Sequence, residues 1–421
     1  MPEYSSNGKS AKPLNVHQDD FDSAERGPCV LAYGPADPAG LGHLRRNTNI
    51  ALRFAGETLS GNALVIGVWP PGLCAHSTPG VDFIKLPSVQ RTAARTWRPS
   101  SLRIGLDRLL DLRSSVIVTT LETLEPDVFL VDHLPAGYCG ELEPALDFLK
   151  RRSSRTKTVL GLRDILDAPD VIRREWERDG VYDVLQRYYD LILIYGDPTV
   201  FDAAAHYDLN RTCGGKVVYC GYVGPSDLPK PGVRLPDESS PDGAKHLLIM
   251  GGGGFDAYPM MSMCIGAIAR MRNDTELDCT LITGPLMDRS EYQSIKNEAA
   301  GLPIVVAPYV DNPLDYIRRA DLVIGMAGYN TVVETMSLGK RMLVVPRGGP
   351  SAEQSMRGDI FAAKGYVATR RLEDSSPESF AEAIWRSLES QPSAGPMPDF
   401  NGLTKVVEEL RKTAAGACRV S

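Results

Sequence analysis

Short runs of consecutive apolar residues alternate along this chain with longer stretches whose apolar positions recur every three or four residues. In the first half the runs fall at 30–33, 64–68, 83–86, 128–132, 158–162, 191–195 and 216–219, with amphipathic stretches such as 142–150 and 176–189 between them. In the second half the runs fall at 247–250, 280–283, 304–307, 322–325 and 342–345. Helical periodicity there covers 259–270, 331–338 and 353–364. Uninterrupted apolar runs of strand length fit strands covered on both faces, and helical stretches between them fit crossovers between parallel neighbours. The pattern predicts an α/β protein with parallel sheets and right-handed connections.

The alternation lapses once, between Gly224 and Lys245, where Pro, Ser, Asp and Gly are frequent and no period is kept. That stretch reads as a linker. The resulting division is a polar disordered leader (1–26), a first Rossmann-like domain (27–223), the linker (224–245), a second such domain (246–400), and a C-terminal helix and tail (401–421). A length of 421 residues agrees, since single cores stop growing well below it. Two doubly wound domains facing across a cleft bind ligands at the carboxyl ends of their strands.

Composition narrows the function classes. A formal charge of −7 argues against sequence-independent nucleic-acid binding. No apolar stretch approaches the length of a membrane span, and the polar leader lacks the apolar segment of a secretory signal, so a cytoplasmic location is expected. The eight cysteines form no Cys-x-x-Cys pair, which points to reduced thiols rather than a zinc or redox site.

Two glycine-rich turns carry candidate chemistry. The first, Gly40-Leu-Gly42-His43-Leu-Arg-Arg46, follows an apolar run and puts a histidine where strand gives way to helix. It lacks the third glycine of the dinucleotide fingerprint, because Arg45 stands there. His43 suits a general base at neutral pH, although a histidine in this place also serves as a helix cap. In the second half, Gly251 to Gly254 follow a strand and offer backbone to a phosphate ahead of a helix, or else form a tight turn. Thr331-Val-Val-Glu334 has the spacing of a capping box, which would leave Glu334 a purely local task.

The wider context, Gly325-Met-Ala-Gly328-Tyr-Asn-Thr331 followed by 339–346 and Glu353-Gln354, resembles the donor domain of family 28 glycosyltransferases of the GT-B fold. The resemblance covers roughly 247–367. It implies that Gly251, Gly252, Gly253, Gly328, Tyr329, Asn330 and Thr331 face a diphosphate, and that Glu334 binds ribose hydroxyls. It implies further that Gln354 contacts the donor sugar and that Tyr309 and Val310 lie where backbone reads the nucleobase. The phrases Gly40–Arg46, Val131–Pro135, Gly161–Leu166 and Tyr195–Pro198 also resemble a group of bacterial glycosyltransferases. Ser355 and Arg357 depart from the family pattern, and the region 220–227 lacks a match to its donor-phosphate arginine. Arg357 is thus either a compensating phosphate or sugar contact or a solvated helix residue.

Together these parts predict transfer of a sugar from a nucleoside-diphosphate sugar, UDP-linked by resemblance, to an acceptor hydroxyl. A single inverting displacement is expected, with His43 as base and neither metal nor other cofactor. Asp132 would orient His43 or bind a hydroxyl, while His133, Gly40 and Gly42 would line the acceptor side. Arg91, Arg95, Arg98, Arg103 and Arg108 with Trp97 offer contact to an anionic acceptor or to a membrane surface, but their interruption by Pro99-Ser-Ser reads better as a solvated loop. Two alternatives use the same site: a nucleotide-sugar hydrolase in which His43 activates water, and a non-catalytic nucleotide-sugar-binding protein.

Overall fold

The computed structural model describes residues 27–35, 41–58, 61–69, 78–93, 96–152, 155–225, 244–271, 277–390 and 395–418. The first half contains strands β1 (Cys29–Tyr33), β2 (Asn62–Gly67), β3 (Val81–Lys85), β4 (Val89–Ala93), β5 (Thr96–Pro99), β6 (Val128–Asp132), β7 (Lys157–Arg163), β8 (Leu191–Tyr195) and β9 (Val217–Tyr219). Seven of them form a sheet in the order β3-β2-β1-β6-β7-β8-β9, and every pairing is parallel. The second half contributes β10 (Lys245–Met250), β11 (Leu277–Ile282), β12 (Ile304–Ala307), β13 (Leu322–Gly325), β14 (Arg341–Val344) and β15 (Ala368–Thr369), in the order β12-β11-β10-β13-β14-β15. Both sheets follow the doubly wound scheme, reversing direction between β1 and β6 in one and between β10 and β13 in the other.

The apolar runs form central strands because both of their faces are covered. In β1, Val30 and Ala32 point toward Ile50 and Phe54 of the helix Leu41–Glu57, while Leu31 and Tyr33 point toward Ile117, Leu121 and Leu146 on the opposite face. In β10, Leu247 and Ile249 meet Met261, Ile265 and Ile268 of the helix Tyr258–Met271, and Leu248 and Met250 meet the layer containing Val332 and Met336. The C-terminal helix Gly402–Cys418 crosses back to the first half, seating Val406 and Leu410 with Ile50 and Phe54. Gly402 is needed at that return, since a Cβ there would stand 2.5 Å from the Tyr222 carbonyl oxygen.

Three expectations need correction. The amphipathic stretch 176–189 is two helices, Pro169–Arg178 and Val181–Tyr188, broken where Gly180 takes a φ of 66°. Its apolar face continues across the break, so periodicity alone reads it as one. The arginine-rich stretch around Trp97 contains the antiparallel hairpin β4–β5 rather than only a loop. Arg98 is exposed there, while Trp97 packs on Tyr138 with ring centroids 4.7 Å apart. The helix placed near Thr331 begins at Tyr329, with Gly328 as its N-cap. The leader and Arg95 lie outside the described residues, as does most of the linker. No helix among the described residues is long and apolar enough to cross a membrane.

Candidate active site

The carboxyl ends of the two sheets face each other, and the site is built where both sheets switch direction. On the first sheet, β1 leads into the helix Leu41–Glu57, which carries His43, and β6 ends on Asp132. His43 Nδ1 lies 2.8 Å from Asp132 Oδ2. The carboxylate can only accept, so with the Nδ1 proton in that bond Nε2 keeps its lone pair, and the Arg46 nitrogen 3.0 Å from Nδ1 bonds Asp132 rather than the ring. Asp132 is fully buried and also receives two bonds of 2.8 Å from an Arg46 guanidinium nitrogen. Burial alone would raise the Asp132 pKa, but Arg46 and His43 hold it well below the ordinary carboxylate range.

His43 keeps 17% of its side chain exposed, which leaves its ring within reach of a small acceptor group. Burial lowers its pKa; Asp132 opposes that shift, and Arg46 and Arg163 reinforce it. The imidazole is therefore neutral at physiological pH, the form a base requires. His133 stacks beside it with ring centroids 5.1 Å apart. That residue has a φ of 72°, an uncommon backbone conformation for a non-glycine side chain, and its buried Nδ1 has no partner. Burial and the nearby Arg163 keep His133 neutral as well. Strain of this kind gathers at functional sites. Gly42 lies in the same first turn of the helix, while Gly40 is outside the described residues.

The second switch point lies opposite. The glycines at 251 and 254 make room for protein: a Cβ on Gly251 would lie 2.4 Å from the Thr283 carbonyl oxygen, and one on Gly254 would lie 2.5 Å from it. Gly252, with a φ of 61° and open space at its Cβ position, is the glycine with its free side outward. The run is thus a tight turn packed on the end of β11 that leaves backbone exposed at its tip. After β13 the helix Tyr329–Ser337 starts without a side-chain cap. Its first backbone N–H groups have no intrahelical acceptors, and the helix dipole favours an anion at that end.

Glu334 sits one and a half turns into that helix and is 4% exposed. The capping box does not form, because the N-cap is three residues earlier than the sequence pattern places it. Burial pushes the Glu334 pKa up to about 7, with Arg45 of the opposite helix pulling the other way across 3.3 Å. Asn330 Nδ2 donates to the Gly42 carbonyl at 3.2 Å, so the starts of the two helices touch. Gln354 Oε1 accepts from the Arg347 backbone N–H at 3.2 Å, while Tyr309 is exposed just beyond the end of the edge strand β12. Val310 packs partly buried beside it, and Thr331 lies against Gly325.

Two of the candidate donor-site residues hold the halves together through their side chains. The Tyr329 hydroxyl accepts from the Val223 backbone N–H at 2.9 Å and donates to the Tyr195 carbonyl at 3.0 Å. Its ring is buried in the seam, which leaves only its backbone for a ligand. Arg357 is fully buried, contrary to a solvated helix residue, and its guanidinium is engaged by Asp164, Glu353 and the Ala327 carbonyl at 2.8 to 2.9 Å. Those protein partners replace the phosphate or sugar contact expected of it.

Sequence reasoning left several partners unassigned. Arg46 stacks near the rings of Tyr195 and Tyr329, 5.3 and 5.5 Å from their centroids, and Arg357 lies 5.7 Å from the Tyr329 ring. Arg163 at the end of β7 bonds Glu353 across the seam at 2.7 Å. His43, Asp132, Arg46, Tyr329, Arg357 and Glu353 thus form one contiguous chain of contacts running from the first helix to the second domain. A clue lay in the phrases 161–166 and 195–198: a Cβ at Gly161 would lie 2.0 Å from the Tyr195 hydroxyl, and one at Gly196 would lie 2.7 Å from the Asp164 Cβ. Those glycines clear space for the seam.

Comparison with known proteins agrees with this architecture. Residues 246–410 match the model of the glycosyltransferase family 28 C-terminal domain. An uncharacterized glycosyltransferase of Methanosarcina mazei is 30% identical over 150 residues, 34% of this chain and 38% of that protein. The UDP-N-acetylglucosamine--N-acetylmuramyl-(pentapeptide) pyrophosphoryl-undecaprenol N-acetylglucosamine transferase of Bacillus licheniformis is 26% identical over 187 residues, 43% of this chain and 47% of that protein. The chain therefore spans less than half the length of these curated relatives. Among solved structures, Acinetobacter baumannii MurG superposes with a TM-score of 0.55 at 14% identity, covering 91% of this chain and 99% of that one. A putative UDP-N-acetylglucosamine 2-epimerase from Listeria monocytogenes reaches 0.57 at 10% identity, covering 91% and 97%. MurG and a putative epimerase fit equally well, so the fold alone does not choose a reaction. The chain has the GT-B fold, and its residues 246–410 match the family 28 glycosyltransferase C-terminal domain.

Proposed function

We propose that this protein transfers a sugar from a nucleoside-diphosphate donor, UDP-linked by analogy with its relatives, to an acceptor hydroxyl with inversion at the anomeric carbon. The observation that carries the reading is the neutral His43, oriented by Asp132, placed opposite the uncapped start of the helix Tyr329–Ser337. His43 Nε2 takes the acceptor proton as the hydroxyl oxygen bonds to the anomeric carbon. The bond from that carbon to the phosphate oxygen breaks, and the nucleoside diphosphate leaves with the electron pair. The backbone N–H groups and dipole of the helix stabilise the leaving charge by up to about 2 kcal/mol in favourable geometry. Glu334 accepts from the ribose hydroxyls, and the backbone near Tyr309 and Val310 faces the base.

The test is nucleotide release from UDP-, dTDP- and GDP-sugars with candidate acceptors added or withheld. Acceptor-dependent release supports transfer. Equally fast release without acceptor makes water the acceptor and the protein a hydrolase, and binding without release makes it a carrier. A second check isolates the ribose contact. Glu334→Ala is expected to weaken UDP about tenfold to hundredfold, the value of hydrogen bonds to a charged group. It should also abolish any preference for UDP over 2′-deoxy-UDP. An unchanged dissociation constant, measured by calorimetry, would remove Glu334 from the nucleotide site.

A further inference from the structure

Resting on the proposed function, we infer that Arg45 supplies the cation for the donor diphosphate from across the cleft, and that Glu334 holds it in reserve until the donor arrives. Among the described residues, the other arginines around His43 and Tyr329 are tightly bonded: Arg46 to Asp132, Arg163 to Glu353, and Arg357 to Asp164 and Glu353, all within 2.9 Å. Arg45 differs. It reaches Glu334 only at 3.3 Å, and a third of its side chain is exposed. Among the described residues it is looser than the other ion pairs between the halves, and its two members come from different domains.

Geometry sets where Arg45 would go. Asn330 and Glu334 are four residues apart and share one face of their helix, separated by about one turn of roughly 5.4 Å. Asn330 touches the Gly42 carbonyl at 3.2 Å, three residues before Arg45 on the facing helix. The Arg45 side chain therefore meets its helix about one turn from the uncapped start, and in the proposed exchange its guanidinium moves from Glu334 toward that end. A nucleoside diphosphate offers each partner something better. Its ribose hydroxyls donate to Glu334, and its phosphate oxygens accept paired N–H bonds from Arg45. Splitting the pair costs little because it is loose, Arg45 is partly solvated, and the ribose hydroxyls replace it as donors to the buried Glu334. The exchange also ties the helix bearing His43 to the bound donor, so the base is held over the donor once the donor is in place.

Arg45 thereby takes the phosphate role for which the region 220–227 offers no arginine. The alternative cation at this end of the second sheet, Arg347, is held by Asp256 at 3.0 Å within its own domain.

The test compares nucleotide with nucleoside. UDP, dTDP and GDP are first titrated into the wild-type protein, and the tightest binder is carried forward with its own nucleoside. In Arg45→Ala the diphosphate should bind about tenfold more weakly or worse, as for loss of a charge-assisted bond. The nucleoside should bind as in the wild type, and Arg45→Lys should recover part of the loss. The salt dependence of diphosphate binding should also flatten in the alanine variant. Equal diphosphate affinity in wild type and variant overturns the inference while leaving the transferase reading intact. Parallel weakening of both ligands overturns it too, by making Arg45 a support for the seam. A wild-type protein that binds none of the three diphosphates overturns the proposed function itself.

Discussion

Replacing His43 by alanine is expected to lower turnover by about 10²- to 10⁴-fold, the usual worth of a positioned general base, while leaving nucleotide binding unchanged. The separation follows from placement. His43 belongs to the first half, and its named contacts are Asp132, Arg46 and His133, all in that half. Single-turnover transfer assays alongside calorimetric titration of the nucleotide would read both effects. Wild-type turnover in the variant would sink the base assignment.

The pH profile gives the same assignment a signed test. The base works unprotonated, and burial holds its pKa below the ordinary value near 6.5. At saturating donor, turnover should therefore be full at neutral pH and fall as pH drops through that lowered pKa. Asp132 raises the His43 pKa, so Asp132→Asn should move the acid limb to still lower pH. It should also cut the rate, because an amide can present its NH₂ to Nδ1 and fix the wrong tautomer. An acid limb that moves upward in Asp132→Asn would contradict this electrostatic account.

Much of the fold was legible because the strands are covered on both faces and so read as unbroken apolar runs. β6, β8, β12 and β13 occupy the residues the runs predicted, and the other predicted strands differ by one to three residues at their ends, while the two-residue edge strand β15 is too short to give a run. The β4–β5 hairpin was not legible, since Arg91, Arg98 and Pro99 give it no strand-like apolar face. The helix break at Gly180 was hidden because Trp176 and Leu185 keep burying on one side of it. In the site, the proximity of His43 and Asp132 was anticipated from two strand ends, since the carboxyl ends of neighbouring strands converge at a switch point. The ion pairs of Arg46, Arg163 and Arg357 were not, because a sequence shows charge but not which charge from a distant segment neutralises it. Arg357 and Asp164 are 193 residues apart.

That last pair carries the largest expected effect on stability. Arg357→Met should destabilise the protein by about 3–5 kcal/mol, the cost of leaving a buried charge without its partner. Asp164 is fully buried and pairs with the Arg357 guanidinium at 2.9 Å, so losing the guanidinium strands the carboxylate. Glu353 suffers less because Arg163 still bonds it at 2.7 Å. Urea unfolding followed by probes in each half is the measurement, since a chain of two domains need not unfold in one step. Adding Asp164→Leu to Arg357→Met should recover most of the loss, because an apolar pair of similar bulk replaces a buried ion pair at little net cost. Arg357 Nη1 also bonds the Ala327 carbonyl, immediately before the Gly328 N-cap, so the double variant should fold yet misplace the helix start that faces the donor. Recovered stability with reduced nucleotide affinity would separate the two tasks of this arginine; full recovery of both would confine it to neutralising Asp164.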